Sequence, residues 1–248
     1  MEEKWRKNYD KAEEYWGEGD EYQNCIKYAT KAIEEGCKEI NLYENLALSY
    51  LESKMYQECI VAVGIILKMD KDNYTMRGAR ADCYNHLGQI ENEFKDYDYM
   101  IKDRPFDEEN YSHRGICLSK LGKHKRAIYD LDVAEKAGSI GINGYLHRGI
   151  SHLALGKIKN VKTDVEKYME KVDERYKIFN RINSNNTFEH DYSDVIALLS
   201  KAIDLYKNDV ELYTLRIDCY KRNNQQKEAD RDTKQLKKFK VLEYVPKP

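Results

Sequence analysis

The stretch YSHRGICLSKLGKHKRAIYDLDVA (111–134) decides the fold, because YLHRGISHLALGKIKNVKTDV (145–165) repeats its pattern 34 residues later. Tyr111 answers Tyr145, His113-Arg114-Gly115 answers His147-Arg148-Gly149, and Gly122 answers Gly156. Each copy reads as an apolar stripe at helical spacing, a glycine turn and a second such stripe, which predicts two short helices. Extended outward, the same spacing gives one register from end to end, with units at 6–39, 40–73, 74–107, 108–141, 142–175, 176–209 and 210–243. The fourth column of the unit holds Tyr9, Tyr43, Arg77, Tyr111, Tyr145, Phe179 and Tyr213. The eighth runs Glu13, Ala47, Ala81, Gly115, Gly149, Asn183 and Ile217, and the twentieth Cys25, Cys59, Glu93, Ala127, Val161, Val195 and Ala229. Small residues there let paired helices approach closely, and a glycine in the turn can take the left-handed conformation that ends the first helix.

The order of aromatic, small residue, turn glycine, alanine and finally proline (Pro105) resembles the tetratricopeptide-repeat (TPR) family. The related pentatricopeptide repeat, at 35 residues, would drift out of register over this length. The resemblance covers 6–243 and implies an all-α fold, a right-handed superhelical α-solenoid of antiparallel helix hairpins, with 1–248 as one TPR domain and 244–248 as a tail. One hairpin cannot bury its stripe alone, so neighbours stack and share a core. The sixth unit departs most. YKIFNRINSNNTFEHD (176–191) places Asn183 and Asn186 at core columns in a turn-favouring cluster. The preceding helix is expected to run on past 175, with 183–190 a loop or frayed end. At the other end only Tyr244–Pro248 follow the last unit, so Leu236, Phe239, Leu242 and Tyr244 are expected to stay partly exposed, and an end-to-end homodimer is one use of them.

Composition agrees with long helices whose outer faces are wet. Charged residues make up 35% of the chain and prolines number three, two of them in the last three positions. Tyr (21) far outnumbers Phe (5), which suits a thin structure where rings pack and hydroxyls reach water. A net charge of −2 gives no basic footprint for nucleic acid. The opening MEEKWRKNYD has no apolar core of a secretory signal, and no apolar run has the length of a membrane span, so a cytoplasmic protein is expected. Five of the six cysteines fall in repeat columns as small core residues, and no CxxC pair points to zinc. His113 and His147 share a column without a third converging ligand, so no metal is expected. Neither a phosphate-cradling glycine loop nor an HExxH motif is present, so neither a catalytic residue nor a cofactor is expected.

Two further columns covary. Arg80, Arg114, Arg148 and Arg216 fill the seventh, and Asp96, Asp130, Asp164 and Asp232 the twenty-third, in the same four units. Each Arg is expected to clasp the Asp of its own unit, tying first helix to second through a planar two-point bond. The resemblance also implies that the first helices line a concave groove. Its columns hold Asp10, Glu14, Glu44 and Asp82 early, then His113, Ile116, Leu146, His147, Ile150 and Leu153, and finally Lys177 and Arg181. That gradient suits an extended peptide or helix with its basic end over the first units. Lys177 and Arg181 match two members of the five-residue carboxylate clamp by which some TPR co-chaperones grip chaperone tails. Ser112, Ile116 and His147 stand where the others belong, so that ligand is not expected. The expected function is a protein-binding adaptor or scaffold. The alternative is a regulatory or targeting subunit held through the opposite face and the ends.

Overall fold

The computed structural model describes residues 4–17, 21–182 and 191–243. Thirteen helices occupy them, with no strand among the described residues. The chain forms two compact units, 1–110 and 111–248.

The first unit contains α1 (Arg6–Gly17), α2 (Tyr22–Glu34), α3 (Ile40–Glu52), α4 (Tyr56–Met69), α5 (Tyr74–His86) and α6 (Ile90–Asp103), packed as consecutive pairs. The odd-numbered helices of this unit also touch one another, α1 on α3 and α3 on α5. Its core forms two clusters, one around Cys25, Ala29, Leu42 and Leu46 and one around Cys59, Val63, Ile66 and Met76. The second unit contains α7 (Glu109–Lys120), α8 (His124–Lys136), α9 (Gly141–Ala154), α10 (Ile158–Ile182), α11 (Ser193–Leu205), α12 (Val210–Arg222) and α13 (Gln226–Glu243). One cluster centred on Leu131, Val161, Val165, Leu199 and Leu212 fills it. All six cysteines are buried and unbridged.

Five turns are built alike. Gly88, Gly122 and Gly156 adopt positive φ between first and second helix, and Lys54 (φ 59°) and Asn224 (φ 56°) do the same without a glycine. In each, the amide one residue later reaches back to the carbonyl five residues before it, as in Lys123 N to Leu118 O at 2.8 Å and Met55 N to Tyr50 O at 2.8 Å. This is the Schellman closure, which satisfies carbonyls left open at a helix end. Gly115 serves a different need. A Cβ built there would lie 2.7 Å from Leu131 Cγ and 3.3 Å from the Ala127 carbonyl oxygen, so α7 and α8 pack at a distance only glycine allows.

The sixth expected unit does not begin with a helix of its own, since α10 runs on through 175 to Ile182. The expected loop at 183–190 lies outside the described residues. At the other end, Leu236 and Phe239 are half-buried, partly exposed as expected, and they lean on the core with Phe239 edge-on to Tyr213 at 5.3 Å. The Leu242 side chain and Tyr244 lie outside the described residues.

Candidate interaction surface

The Arg and Asp columns, four residues each, meet within single helix pairs. Arg80 binds Asp96 at 2.9 and 2.6 Å, Arg114 binds Asp130 at 2.7 and 3.0 Å, and Arg216 binds Asp232 at 2.7 and 2.8 Å. Arg148 donates from Nε and Nη2 to one oxygen of Asp164, at 2.9 and 2.7 Å. The spacing of the columns did not reveal a second acceptor lying sixteen residues before the arginine. Arg148 Nη1 reaches Asp132 at 2.8 Å, and Arg216 Nη1 reaches Ser200 at 2.9 Å. These two arginines therefore join three helices each. Arg148 also reaches Glu135 at 2.5 Å, and that carboxyl is pulled down to about 2, first by the Arg148 hydrogen bond and then by Lys167. Burial works against the charge of Arg148, yet Glu135 and Asp164 hold its pKa above the ordinary value. Asp164 also faces Nδ1 of buried His152 at 2.9 Å.

The expected groove residues fare unequally. In the first unit Asp10, Glu14 and Asp82 are exposed on α1 and α5, and Glu52 joins them on α3. Asp10 pairs with Arg6 at 3.1 Å. Glu44 is half-buried and accepts from Asn73 at 2.6 Å, while Asn73 also caps α5 through Met76 N. Asp82 accepts a long bond of 3.4 Å from the Tyr97 hydroxyl. In the second unit His113, Ile116, Ile150 and Leu153 are half-buried, and the three apolar ones lean on the core. Leu146 corrects the sequence reading. It is 7% exposed and belongs to the core itself, so it offers a ligand no free anchor. His147 lies beside Ser119, and burial, with Lys120 adding, pushes its pKa down to about 4. Lys177 and Arg181 fall on the last turns of α10, where side chains are outside the described residues. Arg222 on α12 is committed to Asp173 and to Asp218, the latter at 3.0 Å.

A second surface escaped the repeat columns. Helix α4 is apolar on more than one side, and Val61 (58% exposed), Ile65 (40%) and Met69 (49%) form an outward stripe at four-residue spacing. Beside it, α2, α3 and α4 enclose an open groove of about 360 Å³. Ile33 and Leu46 line it together with Val61 and Ile65, and so do Glu34 of α2 and Glu58 of α4. The signal was present in IVAVGIILKM (60–69), which has more apolar positions than one buried face can use.

Among the described residues no group of three or more His, Cys, Asp or Glu side chains could hold a metal ion. No helix among them is long and apolar enough to cross a membrane.

No family model matches the sequence, and no curated protein matches it. Solved structures do. A tetratricopeptide repeat protein from Parabacteroides merdae aligns over 95% of this chain and 93% of its own, at 17% identity and a TM-score of 0.59. MamA aligns over 71% of this chain and 96% of its own, at 15% identity and a TM-score of 0.61. YrrB, described as a TPR protein with an unusual peptide-binding site, aligns over 83% and 88%, at 13% identity and a TM-score of 0.54. At such identities the likeness is one of architecture, and it agrees with the helix pairs and repeated turns: the chain has the tetratricopeptide-repeat fold.

Proposed function

We propose that the chain is a protein-binding scaffold, and that the face of α1, α3 and α5 takes an extended basic segment of a partner. The observation that carries this reading is the set of exposed carboxylates Asp10, Glu14, Glu52 and Asp82 on first helices that touch in series. Lys7 and Lys11 are the opposing cations of these columns, and Lys11 lies over the Tyr28 ring at 4.8 Å. Such a face attracts cationic segments and raises the rate of encounter, while neighbouring side chains set the choice of sequence. In the second unit, half-buried Ile150 and Leu153 of α9 offer an apolar contact surface of their own. YrrB shows that the architecture can carry a peptide-binding site. The outlying reading, a subunit held through its second helices, is favoured by the groove beside α4.

The test is peptide-array binding by the full chain and by the Glu14→Lys/Asp82→Lys variant. Lysine- and arginine-rich peptides should be retained by the unaltered chain and weakened about tenfold or more by charge reversal, with the loss shrinking as salt rises. Equal binding by both proteins at low salt refutes the acidic face. Equal binding of apolar peptides by an Ile150→Glu variant removes α9 as a contact surface.

A further inference from the structure

We infer that the groove enclosed by α2, α3 and α4 is a second docking site, and that its occupant is an amphipathic helix whose apolar stripe is flanked by lysine or arginine.

Three observations bear on the occupant. The lining is mainly apolar, with Leu46 and Tyr50 from α3, Ile33 from α2, and Val61 and Ile65 from α4. Val61 and Ile65 are one helical turn apart and lie 58% and 40% exposed, so a ligand helix can set a leucine against each at the same spacing. The walls bear Glu34 and Glu58, one from α2 and one from α4, and no cation lines the groove. Neither carboxylate has an ion-pair partner among the described residues. A helix in the groove meets acids contributed by two different helices and no cation, so the complementary charge beside its apolar stripe is positive.

The other occupants fit less well. A second copy set on this face by a twofold axis presents the same lining to itself and brings no cation from it to Glu34 or Glu58. A small apolar molecule fills the volume, which lies at the low end of the roughly 300–1,000 Å³ of ligand pockets, but leaves both acids without a use. The site is independent of the α1–α3–α5 face, because its polar walls come from second helices.

The experiment uses the full chain and two synthetic helical peptides with identical leucine positions, one flanked by lysines and one by glutamates, read by fluorescence anisotropy. The lysine peptide should bind and the glutamate peptide should bind at least about tenfold more weakly. The Val61→Gln/Ile65→Gln variant, which alters exposed side chains only, should weaken the lysine peptide by about tenfold or more while its melting curve stays unchanged. Glu34→Gln/Glu58→Gln should erase the preference between the two peptides. Asp10→Lys/Glu14→Lys, which reverses the other face, should leave intact the component of binding that Val61→Gln/Ile65→Gln removes, and this separates the two sites. Equal affinity for both peptides, no binding of the lysine peptide, or loss of binding only in the Asp10→Lys/Glu14→Lys variant overturns the inference. So does a dimer in sedimentation velocity that Val61→Gln/Ile65→Gln dissolves, since the occupant is then a second copy.

Discussion

Replacing Arg148 with methionine keeps an unbranched stem and removes the guanidinium and its charge, and the structure sets what that costs. Arg148 and Asp164 have side chains 5% and 2% exposed, whereas Asp132 is 49% and Glu135 27% exposed. The bonds to Asp132 and Glu135 reach toward solvent and are worth about 0–1 kcal/mol each. The arm that matters is the one to Asp164, because removing one partner of a buried ion pair costs about 3–5 kcal/mol by stranding the other charge. Arg148→Met is therefore expected to lose about 3 kcal/mol or more. Asp164→Leu alone leaves Arg148 with Asp132 and Glu135 and costs less. The Arg148→Met/Asp164→Leu double variant should therefore lose about 2 kcal/mol less than the sum of the singles. Stacked helix pairs need not unfold together, so denaturation followed by far-UV circular dichroism should be joined to hydrogen exchange of the α9 and α10 amides. The exposed pair Lys171–Glu174, 47% and 48% exposed, is the control and should couple by about 0–0.5 kcal/mol. A coupling below about 0.5 kcal/mol for Arg148 and Asp164 would refute the view that this pair clamps the second unit.

Gly115→Ala should destabilise the chain by about 1–3 kcal/mol in urea titration, because its Cβ would press on Leu131 and on the backbone of Ala127. Lys54→Gly should stabilise it by about 0.5–1 kcal/mol, since a side chain at φ 59° carries strain that glycine avoids. Asn224→Gly should gain less in the same titration, as asparagine tolerates that conformation. His147 has its pKa lowered in the folded state from 6.5 to about 4, so the unfolded chain binds the proton first, and its contribution is present above pH 6.5 and lost as pH falls toward 4. A His147→Asn variant should show a flatter stability profile across that window. Glu135, lowered from 4.5 to about 2, acts below it, contributing above pH 4.5 and fading toward pH 2.

Much of the architecture was legible because a repeat fold writes the same packing problem many times. The small columns at Gly115 and Ala127 mark the α7–α8 approach, and Gly88, Gly122 and Gly156 mark turns. Lys54 and Asn224 occupy the same turn without a glycine, so residue type alone could not disclose them and only the column position could. The arginine and aspartate columns gave partners within a pair, because covariation at fixed spacing reports a fixed distance. Asp132 and Ser200 escaped, because an acceptor from the preceding helix can be an acid or a hydroxyl and so leaves no uniform column. Leu146 was misread because the column rule assigns a direction to the side chain, whereas burial depends on how closely the adjacent helices pack over it. The groove beside α4 was missed for the opposite reason: once one face of a helix is explained as core, surplus apolar residues on its other side draw no notice.

Helix α10 has a further consequence. A stack of similar hairpins offers a ligand many near-equivalent seats, each one unit from the next, and a partner that slips by one finds much the same backbone. At 25 residues α10 is about 37 Å long, against about 21 Å for the 14 residues of α9. That surplus rod breaks the translational sameness at one place in the chain, and it gives anything that grips it an absolute address where every other hairpin gives only a phase.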